Sequence, residues 1–199
     1  ADALGPENVR CVMMPSRYTS KDSLDDAAEC AKLLGTHLDN VPIEEAVKAF
    51  GAMTGPLFAG RTPDTTEENI QSRIRGVTLM ALSNKFGPMV VTTGNKSEMS
   101  VFYATLYGDM CGGYNVLKDI YKMQVFALSK WRNQHKPKGA KGPEGRVMPE
   151  RVITKPPTAE LRANQKDEDS LPPYPKLDDI LECLVENEMP IEDIMKRGH

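Results

Sequence analysis

Side chains suited to binding a nucleotide follow the end of an apolar segment in the middle of the chain. The sequence there reads Val90-Val-Thr-Thr-Gly-Asn-Lys-Ser-Glu98, and a second polar group, Tyr107-Gly-Asp109, comes shortly after it. In an open α/β sheet, ligands bind beyond the carboxyl ends of strands, where helix N-termini present free N–H groups to phosphate. We therefore expect the hydroxyls and the Glu98 carboxylate to face a nucleotide site, with Glu98 in the first turn of a helix.

The elements needed to position that stretch alternate between strand and helix. Short apolar runs predict strands, and apolar residues at helical spacing predict helices. In the first part of the chain these elements fall, in order, at residues 9–14, 24–34, 36–41 and 43–52. Ser20 or Ser23 can cap the first helix, and Gly35 can end it. This order is typical of a parallel sheet flanked by helices.

The same alternation continues after a loop rich in Gly, Pro and Thr at residues 55–65. Asp64 or Thr65 can cap a long helix that ends near Gly87, and a buried strand ending near Val91 follows directly. Further helices are predicted, in order, at residues 97–106, 117–131, 176–185 and 190–196. Three glycines within residues 108–116 turn the chain between the first two of these helices.

Residues 132–149 have a different composition from the segments around them. They lose the apolar period and gather basic residues, three prolines and three glycines. Such a composition predicts a flexible surface loop within the domain.

Composition limits the functions open to the chain. With 199 residues, of which 40% are apolar, one folded domain is expected, and the net charge of −3 provides no basic field for nucleic acid. No apolar run approaches the ~20 residues of a membrane span, and the first residues lack the features of a signal peptide. The four cysteines are widely separated, without zinc-site spacing, and are expected to be reduced thiols of a cytoplasmic protein. Small molecules are the expected partners.

Five segments, taken in order and with their spacing, point to one family. They are Glu67-Glu-Asn-Ile-Gln-Ser-Arg-Ile-Arg75, Thr93-Gly-Asn-Lys-Ser-Glu98, Tyr107-Gly-Asp109, Lys118-Asp-Ile-Tyr-Lys122 and Lys155-Pro-Pro-Thr-Ala-Glu-Leu161. Together they resemble the synthetase domain of NAD synthase. A further run, residues 164–174, is similar to the glutamine-dependent branch of that family. The resemblance covers essentially the whole chain.

The resemblance implies a fold and a reaction. The fold would be a Rossmann-like parallel sheet flanked by helices, of the adenine nucleotide alpha-hydrolase-like, ATP-pyrophosphatase type, over residues 1–199. The enzyme would be a carbon–nitrogen ligase that adenylates the nicotinate carboxylate of deamido-NAD with ATP, after which ammonia displaces AMP. This chemistry depends on Mg²⁺, on cations and on orientation, and it needs no protein nucleophile. Glutamine hydrolysis in another domain would supply the ammonia, and a homodimer is implied.

Matched position by position, the resemblance assigns side chains to each substrate. The ATP-binding residues would be Thr93, Lys122 and Thr158. The deamido-NAD-binding residues would be Asn69, Arg73, Glu98, Tyr103, Ala104, Thr105 and Leu106. Glu98 would also lie beside Mg²⁺, and Asp109 would be a further polar residue of the site. Asn69 and Arg73 are four residues apart and therefore share one helix face. Phe102 stands where glycine is common in the family, so packing there is expected to differ.

Several features of the family are missing from the sequence. These are the Ser-Gly-Gly-x-Asp-Ser loop that holds the pyrophosphate of ATP, the C-terminal lysine segment and the amidase domain. We therefore expect a synthetase domain truncated at both ends that forms no NAD by itself.

Two other functions stay open at this point. Another ATP-pyrophosphatase amidotransferase, making GMP or asparagine, would share the adenylation step, although Asn69, Arg73 and residues 164–174 disfavour it. A nucleotide-binding or oligomer-forming fragment would bind ligand and perform no chemistry.

Overall fold

The four strands of the chain form two separate parallel pairs. The computed structural model describes residues 1–199, and its strands are β1 (Arg10–Met13), β2 (His37–Asn40), β3 (Val91–Thr92) and β4 (Tyr114–Asn115). β1 pairs with β2, with Arg10 opposite His37, and β3 pairs with β4, with Val91 opposite Tyr114. The predicted parallel arrangement is confirmed, but no strand bonds join one pair to the other. β1 and β3 therefore each keep an unpaired edge.

Eight α-helices surround these strands. They are α1 (Lys21–Leu34), α2 (Glu44–Thr54), α3 (Thr65–Phe86), α4 (Lys96–Ser100), α5 (Lys122–Gln134), α6 (Glu150–Thr154), α7 (Tyr174–Leu181) and α8 (Ile191–Lys196). Short 3-10 turns lie at Pro6–Asn8 and Asp167–Asp169, and one π-helical turn, Glu182–Glu186, continues α7. None of the helices combines the length and the apolar character that crossing a bilayer requires.

The ends of α1 and α3 follow from their capping residues. The Ser20 side chain accepts the Ser23 N–H, and Gly35 ends α1 with a left-handed φ of 71°. Asp64 and Glu67 form a reciprocal capping box at the start of α3, and Gly87 ends that helix with φ of 89°. Glycine adopts this conformation without steric strain, whereas other residues rarely do. The predicted boundaries of both helices are confirmed.

The helix after the polar stretch is shorter than predicted. A helix over residues 97–106 is expected from the sequence, but α4 ends at Ser100. Phe102 and Tyr107 have left-handed backbone angles, with φ of 55° and 62°, and an α-helix cannot continue through such residues. The chain instead returns to α3, where the Thr105 hydroxyl bonds to Asn69.

The next helix also begins later than predicted. The sequence indicates a helix over residues 117–131, but residues 117–121 form a turn and α5 begins at Lys122. Side chains from distant parts of the chain fix this start. Ser97 Oγ accepts the Lys122 N–H at 2.8 Å, and Asp178 Oδ2 accepts the Met123 N–H at 2.8 Å. Strand β4 and helix α6 are elements that the sequence reasoning did not predict.

A small apolar cluster lies beneath the polar stretch. It contains Tyr121, Tyr174, Leu177 and Leu181, and it packs α5 against α7. On the other side, α3 presents Gly76 to the returning chain. A Cβ at Gly76 would lie 2.8 Å from the Tyr107 carbonyl oxygen, so the close packing of this segment on α3 requires glycine.

Residues 132–149 are attached to the domain by Arg132. Its buried guanidinium bonds to both carboxylate oxygens of Asp2, at 2.6 and 3.0 Å, and to the carbonyl oxygens of Pro143 and Gly145. The Asn133 side chain also accepts the N–H of Val147 at 2.9 Å. Residues 132–134 belong to α5 and not to a loop, and the flexibility of residues 135–149 stays a prediction.

Candidate functional site

A cleft of about 1730 Å³ runs between the two strand pairs. Its lining includes residues 9–12 and 88–93, which contain most of β1 and all of β3, together with residues of α3 and of the loop 157–170. Small-molecule pockets usually measure roughly 300–1,000 Å³. The cleft is therefore larger than a typical pocket for one small molecule.

Glu98 and Lys122 form an ion pair on the wall of this cleft. Lys122 Nζ lies 2.9 Å from Glu98 Oε1, and the two side chains are only 18% and 20% exposed. Glu98 Oε2 accepts the Asn95 N–H at 3.1 Å, and the Asn95 side chain accepts the Glu98 N–H at 3.1 Å. This capping box fixes Glu98 in the first turn of α4, as predicted.

Two buried residues position the backbone that carries Lys122. Ser97 Oγ, which accepts the Lys122 N–H, donates its own proton to Asp178 Oδ1 at 2.5 Å. Asp178 also accepts the Met123 N–H, so one carboxylate joins the start of α5 to α4. Sequence reasoning missed Asp178 because it lies on α7, far along the chain from both partners.

Aromatic rings lie beside the Lys122 ammonium group, and one of them bonds to a buried carboxylate. The Lys122 nitrogen lies 5.2 Å from the centre of the Tyr174 ring, and the Tyr174 hydroxyl donates to Asp167 Oδ2 at 2.8 Å. Tyr103 donates to the other Asp167 oxygen at 3.3 Å. Burial, followed by the nearby Asp167 carboxylate, raises the pKa of both tyrosines. Both hydroxyls therefore stay protonated near neutral pH and join α7 to the segment after α4.

Asp109 belongs to a second polar group, in which the segment after α4 contacts side chains of α3. Its Oδ1 accepts the Ser72 hydroxyl at 2.8 Å and the Thr105 N–H at 2.7 Å. The Thr105 hydroxyl donates to Asn69 Oδ1 at 2.8 Å. Asp109 and Glu98 both line a smaller cavity of about 190 Å³, so the early end of α4 brings the two carboxylates to one place.

The remaining predicted site residues lie partly inside and partly outside the cleft. Thr93, Tyr103, Ala104 and Thr158 line the cleft, although the Thr158 hydroxyl donates to the Gln165 carbonyl oxygen at 2.6 Å. The two residues that do not line it are Arg73 and Leu106. Arg73 is exposed, and its Nε donates to the Leu106 carbonyl oxygen at 3.2 Å.

Glu160 fastens the loop that carries Thr158 to the start of α1. Its carboxylate accepts the Ser20 hydroxyl at 2.7 Å, the Ser23 hydroxyl at 2.8 Å and the Lys155 ammonium group at 3.2 Å. Glu160 has a left-handed φ of 52°, and its N–H donates to Thr158 Oγ1. A strained residue held by four partners sets the position of this loop.

Two residues of α3 were missed although a sequence signal existed for them. Ser72 and Arg75 follow Asn69 at intervals of three, which places all three on one helix face. Each of them lines the cleft. The helical spacing from Asn69 would have found this face.

A metal ion at this site would find few protein ligands, because Glu98 and Asp109 are the carboxylates that line the smaller cavity. The chain contains no cluster of three His, Cys, Asp or Glu side chains arranged to hold a metal ion. Any cation in the cleft would therefore take most of its ligands from a bound substrate or from water.

Comparison with known proteins adds independent information about the chain. The family model described as NAD synthase matches residues 1–199. The glutamine-dependent NAD(+) synthetase of Rhodobacter capsulatus is 58% identical over 199 residues, which are 100% of this chain and 36% of that protein. The Thermotoga maritima protein of the same description is 50% identical over 197 residues, 99% of this chain and 33% of its own length. The chain thus spans about one third of these curated relatives.

Solved structures show the same likeness. A glutamine-dependent NAD+ synthetase from Acinetobacter baumannii, in complex with ADP, superposes with a TM-score of 0.72 and 46% identity, covering 99% of this chain and 34% of its own. An NMN synthetase from Francisella tularensis gives a TM-score of 0.74 at 27% identity, covering 87% of this chain and 66% of its own.

Proposed function

The chain belongs to the NAD synthase family, and we propose that within the whole protein its cleft carries out the ATP-dependent amidation of deamido-NAD to NAD. The observation that carries this proposal is the Glu98–Lys122 pair, held at the start of two helices in the wall of the cleft proposed to hold ATP and deamido-NAD. The ADP complex of the Acinetobacter relative supports an adenine nucleotide as one of these ligands.

Three residues are proposed to contact ATP. Lys122 offers a mostly buried ammonium group, and a charge of this kind attracts phosphate oxygens more strongly where water is excluded. Thr93 lines the same cleft and brings a hydroxyl. Thr158 can donate to phosphate only after it releases the Gln165 carbonyl oxygen, so ATP binding should shift this part of the loop.

The dinucleotide is proposed to lie along α3 and the segment after α4. Asn69, Tyr103, Ala104 and Thr105 all line the cleft, and Glu98 lies beside them. Asp109 adds a carboxylate held by Ser72 and Thr105. Arg73 and Leu106 would contact deamido-NAD only where the ligand extends beyond the cleft onto the exposed face of α3.

The proposed reaction has two steps, adenylation of the carboxylate and displacement of AMP by ammonia. A nicotinate carboxylate oxygen attacks the α-phosphorus of ATP, the bond from that phosphorus to the bridging oxygen breaks, and pyrophosphate leaves. Ammonia then attacks the acyl carbon, the bond to the AMP oxygen breaks, and AMP leaves while the surplus proton passes to water. In this scheme Lys122 stabilises charge on the phosphates, and the cleft walls align the carboxylate with the α-phosphorus.

Magnesium fits this site only as an ion shared with substrate. Glu98 could provide one carboxylate ligand, but its oxygens already accept from Lys122 and Asn95. Mg²⁺ is commonly held by one or two carboxylates together with substrate phosphates and water. When bound, it would neutralise charge on the leaving pyrophosphate.

Several properties of the whole protein belong to the same proposal. Glutamine hydrolysis elsewhere in the protein would supply ammonia, in keeping with the glutamine-dependent relatives. We also propose a homodimer and a cytoplasmic location. Large apolar side chains on α2 and α3, including Met53 and Val77, are more than half exposed and offer surface for a second copy.

The two alternative functions predict different behaviour. Another amidotransferase of the ATP-pyrophosphatase type would adenylate a different carboxylate. A fragment that only binds nucleotide would show binding without turnover. Since the Francisella neighbour is described as an NMN synthetase, nicotinate mononucleotide is a competing substrate to compare.

A chimera tests the proposed function directly. In it, these 199 residues replace the matching segment of the Rhodobacter capsulatus relative, which is 58% identical over that length. With ATP, Mg²⁺ and ammonia, we expect deamido-NAD to be converted to NAD with stoichiometric release of AMP and pyrophosphate. A folded chimera that forms no NAD, or that prefers the mononucleotide or another carboxylate, would refute the proposal.

A further inference from the structure

Arg75 differs from most arginines of the chain in having no acidic partner. Those that form an ion pair with a carboxylate are Arg10, Arg17, Arg132, Arg146, Arg151 and Arg162. Arg75 has no carboxylate at ion-pair distance, although its side chain on α3 is only partly exposed to solvent. Burial lowers the pKa of its guanidinium group, while the more distant Glu160 and Asp109 partly offset that effect.

One contact fixes the direction of the Arg75 side chain. Its Nε donates to the Met14 carbonyl oxygen at 3.0 Å, and Met14 is the residue that follows the carboxyl end of β1. No protein group accepts from the two terminal Nη nitrogens. Arg75 is one of the residues that line the cleft, so an anion bound there can reach it.

The nearby carboxylates are already engaged by other groups. Asp109 accepts from Ser72 and Thr105, and Glu160 accepts from Ser20, Ser23 and Lys155. Neither carboxylate therefore supplies the partner that Arg75 lacks. A desolvated charge without a partner is unfavourable, and an anion in the cleft would remove that cost.

We infer that Arg75 is a binding residue for the phosphate chain of the nucleotide in the cleft, using both Nη groups. A planar guanidinium fork binds two oxygens of one phosphate group at once. The carboxyl end of a parallel strand, where Met14 holds Arg75, is also where such folds bind phosphates. This inference rests on the proposed nucleotide-binding function. The phosphates belong either to ATP or to the dinucleotide.

Calorimetric titration of the chimera described above distinguishes these sources. The ligands are inorganic pyrophosphate, ATP, deamido-NAD and adenosine. Arg75→Gln should weaken pyrophosphate and ATP at least tenfold and leave adenosine unchanged, because adenosine carries no phosphate. Arg75→Lys keeps the charge without the fork and should give a smaller loss. Arg61→Gln is the matched control, since Arg61 is exposed and forms no ion pair.

A second measurement needs no substitution. Pyrophosphate should protect Arg75, but not Arg61, from modification by phenylglyoxal, as mapped by peptide mass. If Arg75→Gln does not fold, the inference is tested by this protection and by the ligand affinities of Arg75→Lys, provided that the circular dichroism spectrum of Arg75→Lys is unchanged. A selective loss of deamido-NAD affinity would support the inference and assign Arg75 to the dinucleotide.

Unchanged affinities for all three phosphorylated ligands in Arg75→Gln would overturn the inference. Failure of the unsubstituted chimera to bind any of those three ligands would overturn it as well. The proposed function is decided separately, by NAD formation in the chimera.

Discussion

Glu98 and Lys122 are each fixed by backbone contacts before any ligand arrives. Asn95 holds Glu98, and Ser97 with Asp178 holds the first turn of α5. Fixed charges in a site that excludes water need little reorganisation when charge develops in a reaction. The pair also satisfies both charges in the absence of ligand, so a structural role and a functional role must be separated by experiment.

Charge removal at Glu98 is expected to affect turnover strongly. In the chimera, Glu98→Gln keeps the shape of the side chain, and turnover with ammonia should fall at least ~100-fold, which is about 2.7 kcal/mol of transition-state stabilisation. Steady-state rates at saturating Mg²⁺ measure this. Glu67→Gln is the control, because Glu67 has the same capping-box position on α3 and does not line the cleft. Rates for Glu98→Gln within about threefold of the unsubstituted chimera would contradict the assignment.

The function of Lys122 can be separated from its contribution to stability. Lys122→Met leaves Glu98 without its cation and should lower the free energy of unfolding by about 2 kcal/mol. Adding Glu98→Gln should restore much of that stability, since no charge is then left unpaired. Urea unfolding of the 199-residue chain tests this pair of results. In the chimera, Lys122→Met alone should raise KM for ATP at least tenfold. A KM for ATP that stays within about twofold of the unsubstituted chimera while stability falls would make Lys122 purely structural.

Among the helices and strands, the caps of α1 and α3 could be predicted from the sequence. The end of α4 and the start of α5 could not. Ser20, Gly35, Asp64 and Gly87 act on neighbouring backbone groups, so local sequence is enough to predict them. The start of α5 depends instead on Asp178, which lies far along the chain. The early end of α4 depends on the left-handed conformation of Phe102, which no local propensity predicts.

Two glycine substitutions in helices should have opposite effects on stability. A Cβ at Gly76 would lie 2.8 Å and 3.0 Å from two carbonyl oxygens, whereas one at Gly51 in α2 meets nothing within 4 Å. We expect Gly76→Ala to lower the free energy of unfolding by about 1–3 kcal/mol through overpacking. Gly51→Ala should raise it by about 0.5–1 kcal/mol through helix propensity. Urea unfolding of both variants is the measurement, and a stabilising Gly76→Ala would contradict the packing of residues 107–108 on α3.

The attachment of the 155–161 loop to α1 should depend on pH. Burial raises the pKa of Glu160, but hydrogen bonds from Ser20, Ser23 and Lys155 outweigh this effect and leave the pKa below its ordinary value of 4.5. The folded state therefore binds the proton more weakly than the unfolded state. The stability due to Glu160 should be complete above about pH 4.5 and should be lost as the pH falls through the lowered pKa.

A comparison of two glutamine variants tests this pH dependence. The difference in unfolding free energy between the unsubstituted chain and Glu160→Gln should be largest near neutral pH and should shrink below about pH 4.5. Glu150→Gln is the control, because the Glu150 side chain forms no ion pair, and its difference should stay flat. A Glu160→Gln difference that does not change with pH would show that the carboxylate charge plays no part.

At the scale of the whole molecule, the sequence indicated the fold class and the family but not the layout of the cleft. The alternation of strand and helix predicted parallel pairing, which β1 with β2 and β3 with β4 confirm. The family and its ATP-pyrophosphatase type of fold are borne out by the match over residues 1–199 and by the solved relatives. The separation of the two strand pairs depends on contacts between distant segments, and so does the exclusion of Arg73 from the cleft.

We propose that deamido-NAD is adenylated in the cleft between the strand pairs. Exchange of labelled pyrophosphate into ATP, measured in the chimera without ammonia or glutamine, tests this. Only the adenylation step can then occur, and its reversal carries the label into ATP. We expect exchange that requires deamido-NAD and that falls at least tenfold with Lys122→Met. Exchange without deamido-NAD would show that deamido-NAD is not the group adenylated. Full exchange in the Lys122→Met chimera would show that adenylation does not depend on this side of the cleft.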